Sequence, residues 1–138
     1  MTHANADAKL GAALAATAGA VFTGHIDATA WEPFTFMQDG AQHSYGEMVL
    51  FRATGSAGNG LAVGLWRAPD GPTPIYTSEA GDETFLVLSG EVTVEFLDRG
   101  ETLTFRPGDV CSWSRHSRTR WQLRNGFRKF FVVARDSG

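Results

Sequence analysis

The sequence predicts an all-β protein: a jelly-roll barrel of antiparallel strands that follows a short alanine-rich N-terminal arm. Two observations predict it. From Phe34 onward, short apolar segments alternate with Gly, Pro, Asn and Asp at the spacing typical of an antiparallel sandwich or barrel. No segment in this region has a helical period, so no crossover helix is available to connect parallel strands. Antiparallel strands that close into a jelly roll also protect the edges that an open sheet exposes.

The length of 138 residues favours one domain with a single core. We divide the chain into an N-terminal arm and lead-in over residues 1–33 and one barrel over residues 34–138. Alanine favours helix between Ala4 and Ala20, whereas Gly11, Thr17 and Gly19 weaken it, so a short helix and a loose arm both remain open.

Ten strands are predicted within the barrel. They are Phe34 to Met37, Glu47 to Ala53, Leu61 to Arg67, Thr73 to Glu79, Glu83 to Ser89, Glu91 to Leu97, Glu101 to Phe105, Asp109 to Trp113, Arg120 to Arg124 and Phe127 to Ala134. Gly90 predicts a hairpin between the fifth and sixth strands, because glycine adopts the positive φ that a tight turn requires. The segment 106–109, Arg-Pro-Gly-Asp, predicts another turn, in which Asp109 accepts backbone hydrogen bonds.

The composition excludes several classes of protein. A net charge of -3 argues against a dedicated nucleic-acid binder, and no stretch approaches the roughly 18 to 20 apolar residues of a membrane span. The single cysteine, Cys111, cannot form an internal disulfide, and the alanine-rich start makes a poor signal peptide. We therefore expect a cytoplasmic protein that binds neither nucleic acid nor membrane.

The charge is distributed unevenly along the chain. Residues 1–98 carry a net charge of -9 and residues 99–135 carry +7. These opposed halves can neutralise each other within one barrel or across a homodimer interface. Arg118, Arg120 and Arg124 fall on one face of their strand, with Arg115 and Arg128 nearby, and we expect them to be solvated or paired with carboxylates rather than to bind RNA.

Several motifs together resemble the cupins, a superfamily of small jelly-roll barrels. The motifs span roughly residues 61 to 134 and are more specific in their order and spacing than any one alone. They are Gly64-Leu65-Trp66, the segment 83–90 (ETFLVLSG), Pro107-Gly108-Asp109, Trp121 and Arg128-Lys129-Phe130-Phe131. The chain most resembles the short single-domain cupins of the (S)-ureidoglycine aminohydrolase and ethanolamine-utilisation type.

The sequence departs from the metal-binding cupins at the positions of their histidines. In those proteins two histidines precede the glutamate of the first motif and a third belongs to the second motif. Counted from Glu83, the first two positions fall on Thr77 and Glu79, or on Tyr76 and Ser78 if the register shifts by one, and the third falls on Thr119. The four histidines present are scattered, and no His-x-His pair exists. We therefore expect no tightly bound transition metal.

Two carboxylates remain as charged candidates for the site, Glu83 and Glu79. They leave open an oxygen-ligated divalent cation, with water completing its shell. Without a cation the two charges repel and one proton is retained at raised pH, which allows an acid/base pair and makes both residues candidate catalytic groups. In the alternative arrangement Glu79 is hydrated at the barrel rim and only Glu83 lies inside.

Four further residues are candidate ligand contacts: Trp66, Thr77, Thr119 and Trp121. Alternation along the strand places Thr119, Trp121 and Leu123 on the face that we expect to point inward. A tryptophan there offers a flat ring and one N-H donor to a ligand, and the alternative is that it simply belongs to the core. Lys129 matches the basic residue that the family carries before its last strand, but its direction cannot be predicted.

Two functions follow from these observations, and whether the protein is an enzyme stays open. The first is a small-molecule-binding cupin without a tightly bound transition metal. The alternative is an enzyme that acts on a small polar nitrogen-containing metabolite, as the ureidoglycine aminohydrolase resemblance implies, with Glu83 and Glu79 in the reaction. Because cupins of this type often dimerise, we also expect a homodimer.

Overall fold

A computed structural model describes residues 19–56 and 58–135 of the chain. Most of the predicted alanine-rich arm, residues 1–18, lies outside the described residues. The described part contains nine strands and no helix long and apolar enough to cross a membrane. The strands are β1 (Glu32–Gln38), β2 (Ala41–Thr54), β3 (Gly60–Arg67), β4 (Gly71–Pro72), β5 (Tyr76–Thr77), β6 (Asp82–Phe96), β7 (Glu101–Phe105), β8 (Val110–Trp113) and β9 (Arg118–Arg135).

Two long antiparallel strands, β6 and β9, organise the barrel. The first half of β6 pairs with the second half of β9, and their other edges continue into β8 and into β3, β2 and β1. The second half of β6 pairs with the first half of β9, flanked by β7 on one side and by β4 and β5 on the other. Every pairing is antiparallel, so the predicted all-β jelly-roll class is confirmed.

The predicted hairpin at Gly90 is wrong, because β6 runs through this position without reversing. Gly90 has the expected positive φ of 71°, but it lies at a register shift where β6 bends opposite Asn125 and Gly126 of β9, which also have positive φ. A Cβ atom on Gly90 would lie 2.6 Å from the carbonyl oxygen of Arg124 and from the backbone of Phe127. Gly90 therefore allows β6 and β9 to approach each other closely where both strands bend. The two strands predicted on either side of Gly90 form the single strand β6. The last two predicted strands, Arg120 to Arg124 and Phe127 to Ala134, form the single strand β9.

The structure confirms one further predicted turn and corrects two of the predicted strands. The turn at residues 106–109 is confirmed: Asp109 N-H donates to the Arg106 carbonyl, and Arg106 N-H donates to Asp109 Oδ2 at 2.8 Å. The predicted strand from Thr73 to Glu79 is wrong, because only the two-residue strand β5 pairs within it. Proline at positions 72 and 74 explains the interruption, since proline cannot donate to a ladder. Strand β2 starts earlier than predicted, after an Asp39-Gly40 turn in which both residues have positive φ.

The core consists mainly of aromatic and branched side chains from the facing surfaces of β6 and β9. Phe85, Val92, Leu123 and Phe127 are almost completely buried. The predicted alternation is confirmed, because Thr119, Trp121 and Leu123 are buried while Arg118 and Arg120 are exposed.

The outward-facing arginines of β9 are neutralised by carboxylates within the same barrel. Arg118 pairs with Asp98, Arg120 with Glu95 and Arg124 with Glu91, at N to O distances of 2.8, 2.7 and 3.2 Å. The hydrogen bonds from Arg118 lower the pKa of the Asp98 carboxyl. The opposed charges of the two halves of the chain therefore meet inside one molecule at these positions.

Candidate functional site

A cavity of about 570 Å³ opens between the sheet formed by β1, β2 and β3 and the segment that contains β5. Strands β6 and β9 form its inner wall. The lining is mostly apolar, with aromatic side chains at Phe34, Phe36, Tyr45, Trp66, Tyr76, Trp121 and Phe131. Its ionisable side chains are Glu79, Glu83, Arg115 and Lys129 together with the two tyrosines. The cavity falls in the size range typical of small-molecule sites.

A buried ion pair lies in the inner wall of this cavity. Lys129 Nζ donates to Glu83 Oε2 at 2.9 Å, and the two residues are only 7% and 4% exposed. The Tyr76 hydroxyl donates to the other carboxylate oxygen, Glu83 Oε1, at 3.4 Å. Burial, and then the negative charge of Glu83, raises the pKa of the Tyr76 phenol far above its ordinary value. Tyr76 therefore keeps its proton and stays a donor to Glu83.

The Lys129 ammonium is surrounded by aromatic rings. Its Nζ lies 4.4 Å from the centroid of Trp121, and four further rings lie between 5.2 and 5.9 Å away: those of Trp66, Phe85, Trp113 and Phe131. The negative faces of aromatic rings stabilise a cation, most strongly where water is excluded. The rings and the Glu83 carboxylate together offset the cost of burying this charge.

Both tryptophans of the cavity wall have their indole N-H already bound. Trp121 Nε1 donates to Thr119 Oγ1 at 2.8 Å, and the Thr119 hydroxyl donates in turn to the Tyr76 carbonyl at 3.4 Å. Trp66 Nε1 donates to the Tyr45 carbonyl at 3.3 Å. In this structure the Trp121 N-H is therefore engaged by Thr119, and each tryptophan lines the cavity with its ring.

The outer part of the cavity carries the other two charged residues. Glu79 is half-buried and Arg115 is exposed, and the Arg115 guanidinium donates to the Glu79 carbonyl at 2.8 Å. The negative charge of Glu79, like that of Glu83, raises the pKa of the Tyr76 phenol. Thr77 lines the same region, and its backbone N-H donates to the side chain of Gln38 at 2.8 Å.

The structure brings five of the six predicted site residues to one cavity: Trp66, Thr77, Glu79, Glu83 and Trp121. Thr119 does not line this cavity; it is completely buried, and its hydroxyl is occupied by Trp121 and Tyr76. The charged group in contact with Glu83 is the Lys129 ammonium, at 2.9 Å. Whether these residues contact a ligand stays a prediction.

Sequence reasoning missed Lys129 and Tyr76 as members of the site. Alternation offered a signal for Lys129, because Phe127, Lys129 and Phe131 share one face of β9 and all three are buried. No pattern indicated Tyr76, since it belongs to a two-residue strand inside a segment interrupted by prolines.

The donor set of the cavity does not fit a transition-metal site of the cupin type. Among residues 19–56 and 58–135, no group of three or more His, Cys, Asp or Glu side chains is placed to hold a metal ion. The cupin glutamate, Glu83, instead contacts the Lys129 ammonium, whose positive charge opposes a cation at the same carboxylate. The predicted absence of a tightly bound metal nevertheless stays a prediction.

Comparison with known proteins places the fold. Residues 55–131 match the family model of the EutQ-like cupin domain. No curated protein matches the chain significantly. Among solved structures, KdgF from Halomonas sp. is similar with a TM-score of 0.59 and 16% identity, over 83% of this chain and 94% of that protein.

Two solved structures carry the EutQ name. A putative ethanolamine utilization protein Q from Salmonella typhimurium LT2 has a TM-score of 0.54 and 19% identity, over 80% of this chain and 99% of that one. The Clostridium difficile EutQ protein has a TM-score of 0.55 and 13% identity, over 67% of this chain and 68% of that one. These likenesses show a common fold, and the family model covers more than half of the chain. The chain therefore belongs to the EutQ-like cupin domain family.

Proposed function

We propose that this cupin binds a neutral small molecule in its barrel without the help of a tightly bound transition metal. The observation that carries the proposal is the buried Lys129–Glu83 pair, at 2.9 Å, in the wall of a cavity of about 570 Å³. The Lys129 ammonium supplies, beside Glu83, the positive charge that a metal ion supplies in the metal-binding cupins.

The charges of the lining support a neutral ligand. The carboxylates of Glu79 and Glu83 and the cations of Arg115 and Lys129 cancel formally. An ionised ligand would bring an unbalanced charge into a largely apolar cavity, and such burial costs several kcal/mol, on the order of the desolvation penalty of one ion.

The shape of the donors and rings supports a flat apolar molecule with one polar acceptor. Trp66 and Trp121 present ring surface to the cavity, since their N-H groups are already bound. The Lys129 ammonium has three N-H donors, of which Glu83 takes one. A carbonyl or hydroxyl oxygen on the ligand can accept another.

Fluorine NMR of the full-length protein with 4-fluorobenzyl alcohol, in the presence of a chelator, tests this proposal. We expect saturable line broadening with a Kd below about 1 mM, or roughly -4 kcal/mol. Ala62 lines the cavity and Ala53 is exposed on β2, so Ala62→Trp should abolish the binding while Ala53→Trp, the matched control, should not. Binding that needs added metal, or that survives Ala62→Trp, contradicts the proposal.

The alternative function is an enzyme of the ureidoglycine aminohydrolase type acting on a small polar nitrogen-containing metabolite. One observation favours it: the charges of Glu79 and Glu83 both act on Tyr76, so two carboxylates lie near one half-buried phenol. The test is ammonia release from ureidoglycine, which should be lost in both Glu83→Gln and Glu79→Gln. No release by the wild-type protein contradicts this alternative.

We also propose that the protein forms a homodimer, through the free edge of β1. Within the part of the chain that the structure describes, β1 pairs with β2 alone and stands at the end of the strand order. An unpaired edge readily pairs with a second chain. Sedimentation velocity at micromolar concentration should show a dimer, and a clean monomer contradicts it.

A further inference from the structure

Lys129 combines three features that set it apart from an ordinary structural lysine. Its side chain is 8% exposed and yet lines a cavity large enough for a small molecule. Its Nζ contacts a single carboxylate, and the centroids of five aromatic rings lie between 4.4 and 5.9 Å from it. A proton donor, Tyr76, holds the other oxygen of the same carboxylate.

We propose that Lys129 captures an aldehyde or ketone in this cavity as a covalent imine, with Glu83 moving the proton. This inference rests on the proposed small-molecule function and names the class of ligand: a neutral carbonyl compound with an apolar body. Lysine amines are the side chains that proteins use to form imines with carbonyl compounds.

The Lys129–Glu83 contact supplies the proton transfers that the reaction needs. Moving one proton across the 2.9 Å hydrogen bond leaves a neutral amine and a carboxylic acid, without changing the net charge of the cavity. The amine nitrogen forms a bond to the carbonyl carbon while the carbonyl π bond breaks onto the oxygen. The proton that the nitrogen then gives up passes to that oxygen to give a neutral carbinolamine, so Glu83 still holds its own proton. Glu83 then donates its proton to the departing hydroxyl, which leaves as water when the carbon–oxygen bond breaks.

Imine formation leaves the net charge of the site unchanged. The carbonyl compound and the ammonium become an iminium and one water, so the cation beside Glu83 is replaced by another cation. The balance requires no oxidant, reductant or metal. Tyr76 keeps its proton and holds Glu83 in place throughout.

The sequence offers an internal control, because the chain has two lysines, Lys9 and Lys129. The experiment treats the full-length protein with 4-fluorobenzaldehyde and sodium cyanoborohydride at neutral pH, which reduces any imine to a stable benzylamine. Peptide mapping by mass spectrometry then gives the labelling rates of Lys129, Lys9 and the terminal amine. We expect Lys129 to be labelled at least about tenfold faster than Lys9.

Two further measurements separate cavity chemistry from general amine reactivity. Excess 4-fluorobenzyl alcohol, which cannot form an imine, should protect Lys129 but leave Lys9 unchanged. Glu83→Gln should slow the labelling of Lys129 by about tenfold or more while Lys9 keeps its rate. The protection measurement uses the wild-type protein, so it stays decisive even if Glu83→Gln fails to fold.

Labelling confined to Lys9 and the terminal amine, or Lys129 labelling that the alcohol does not reduce, overturns the imine proposal. The imine proposal can fail while the proposed function holds, and the two experiments together distinguish these cases. If the alcohol binds in the fluorine NMR titration but the aldehyde does not label Lys129, the cavity binds ligands without covalent capture. If the alcohol does not bind, the proposed function fails first.

Discussion

Lys129 and Glu83 meet at 2.9 Å on adjacent strands, β9 and β6, with both side chains buried and aromatic rings around the ammonium. The position of Glu83 in the first cupin motif predicted an inward carboxylate, and the structure supplies the cation that balances it. Because a buried charge needs a partner, each residue of this pair depends on the other, which leads to the first prediction.

Removing one member of the pair should destabilise the protein far more than removing both. Lys129→Met leaves the Glu83 carboxylate buried without a cation and should lower the free energy of unfolding by about 3 to 5 kcal/mol. The double variant Lys129→Met/Glu83→Gln should be more stable than Lys129→Met alone. Urea unfolding measures both, and equal stability of the single and double variants would contradict the coupling.

The exposed pair Arg120–Glu95 provides the control for this comparison. Its N to O distance is 2.7 Å, similar to that of the buried pair, but its side chains are 51% and 37% exposed. Arg120→Met should therefore change stability by at most about 1 kcal/mol. A larger loss of stability in Arg120→Met would mean that the N to O distance, rather than burial, determines how much each ion pair contributes to stability.

Tyr76 should make the protein less stable in alkaline solution. Its pKa is raised in the folded state, mainly by burial, so above the ordinary tyrosine value of about 10 the folded chain keeps a proton that the unfolded chain releases. The folded state then binds more protons, and stability falls as pH rises, by up to about 1.4 kcal/mol per pH unit. Below the ordinary tyrosine pKa, the folded and the unfolded chain both hold the Tyr76 proton, so the contribution of Tyr76 to stability does not change with pH.

Urea unfolding of wild type and Tyr76→Phe at a series of alkaline pH values checks this effect. The variant lacks the titrating phenol and should lose stability less steeply above pH of about 10. Parallel curves for the two proteins would show that the Tyr76 phenol ionises as readily in the folded chain as in the unfolded chain.

Gly90→Ala should damage the bend of β6. The residue has a φ of 71°, and an added Cβ would lie 2.6 Å from backbone atoms of β9. Left-handed strain together with displacement of the neighbouring backbone should cost about 2 to 5 kcal/mol. Gly100→Ala is the matched control, since Gly100 has a similar φ of 64° but nothing within 4 Å of the added Cβ. It should cost about 1 to 2 kcal/mol, and thermal unfolding of both variants gives the comparison.

Thr119→Val tests how much the hydrogen bond between Trp121 and Thr119 contributes to stability. The substitution keeps the shape of the side chain but removes the acceptor of the Trp121 N-H, which leaves a buried donor unpaired and should cost about 1 to 3 kcal/mol. The same substitution at Thr104, whose hydroxyl is bonded to Thr93 on the exposed side of the sheet, should change stability by less than about 0.5 kcal/mol. Equal effects on urea unfolding would remove the special role of Thr119.

The sequence predicted the elements that depend on alternation and on local turn chemistry. The turn at residues 106–109 follows from proline and glycine preferences, and the buried face of Trp121 and Leu123 follows from period-2 patterning. The inward position of Glu83 follows instead from its place in the first cupin motif. Gly90 was predicted to have positive φ, but its reason is the approach of β9, a partner distant in sequence, and so a bend was mistaken for a reversal.

The site was predicted less completely than the fold, because its chemistry depends on contacts between distant strands. Glu83 and Lys129 are 46 residues apart, and nothing local indicates that they meet. Tyr76 reaches Glu83 from an irregular segment between prolines, where alternation predicts nothing about direction. The absence of the cupin histidines is evident from the sequence, but the contacts that join Lys129, Glu83 and Tyr76 are evident only from the three-dimensional structure.

The metal content of the purified full-length protein, measured by elemental analysis for wild type and Glu83→Gln, tests most directly whether Lys129 provides the cation beside Glu83. We predict far less than one manganese, nickel, iron or zinc ion per chain, with no difference between the two proteins. One ion per chain in the wild type that Glu83→Gln removes would contradict this account.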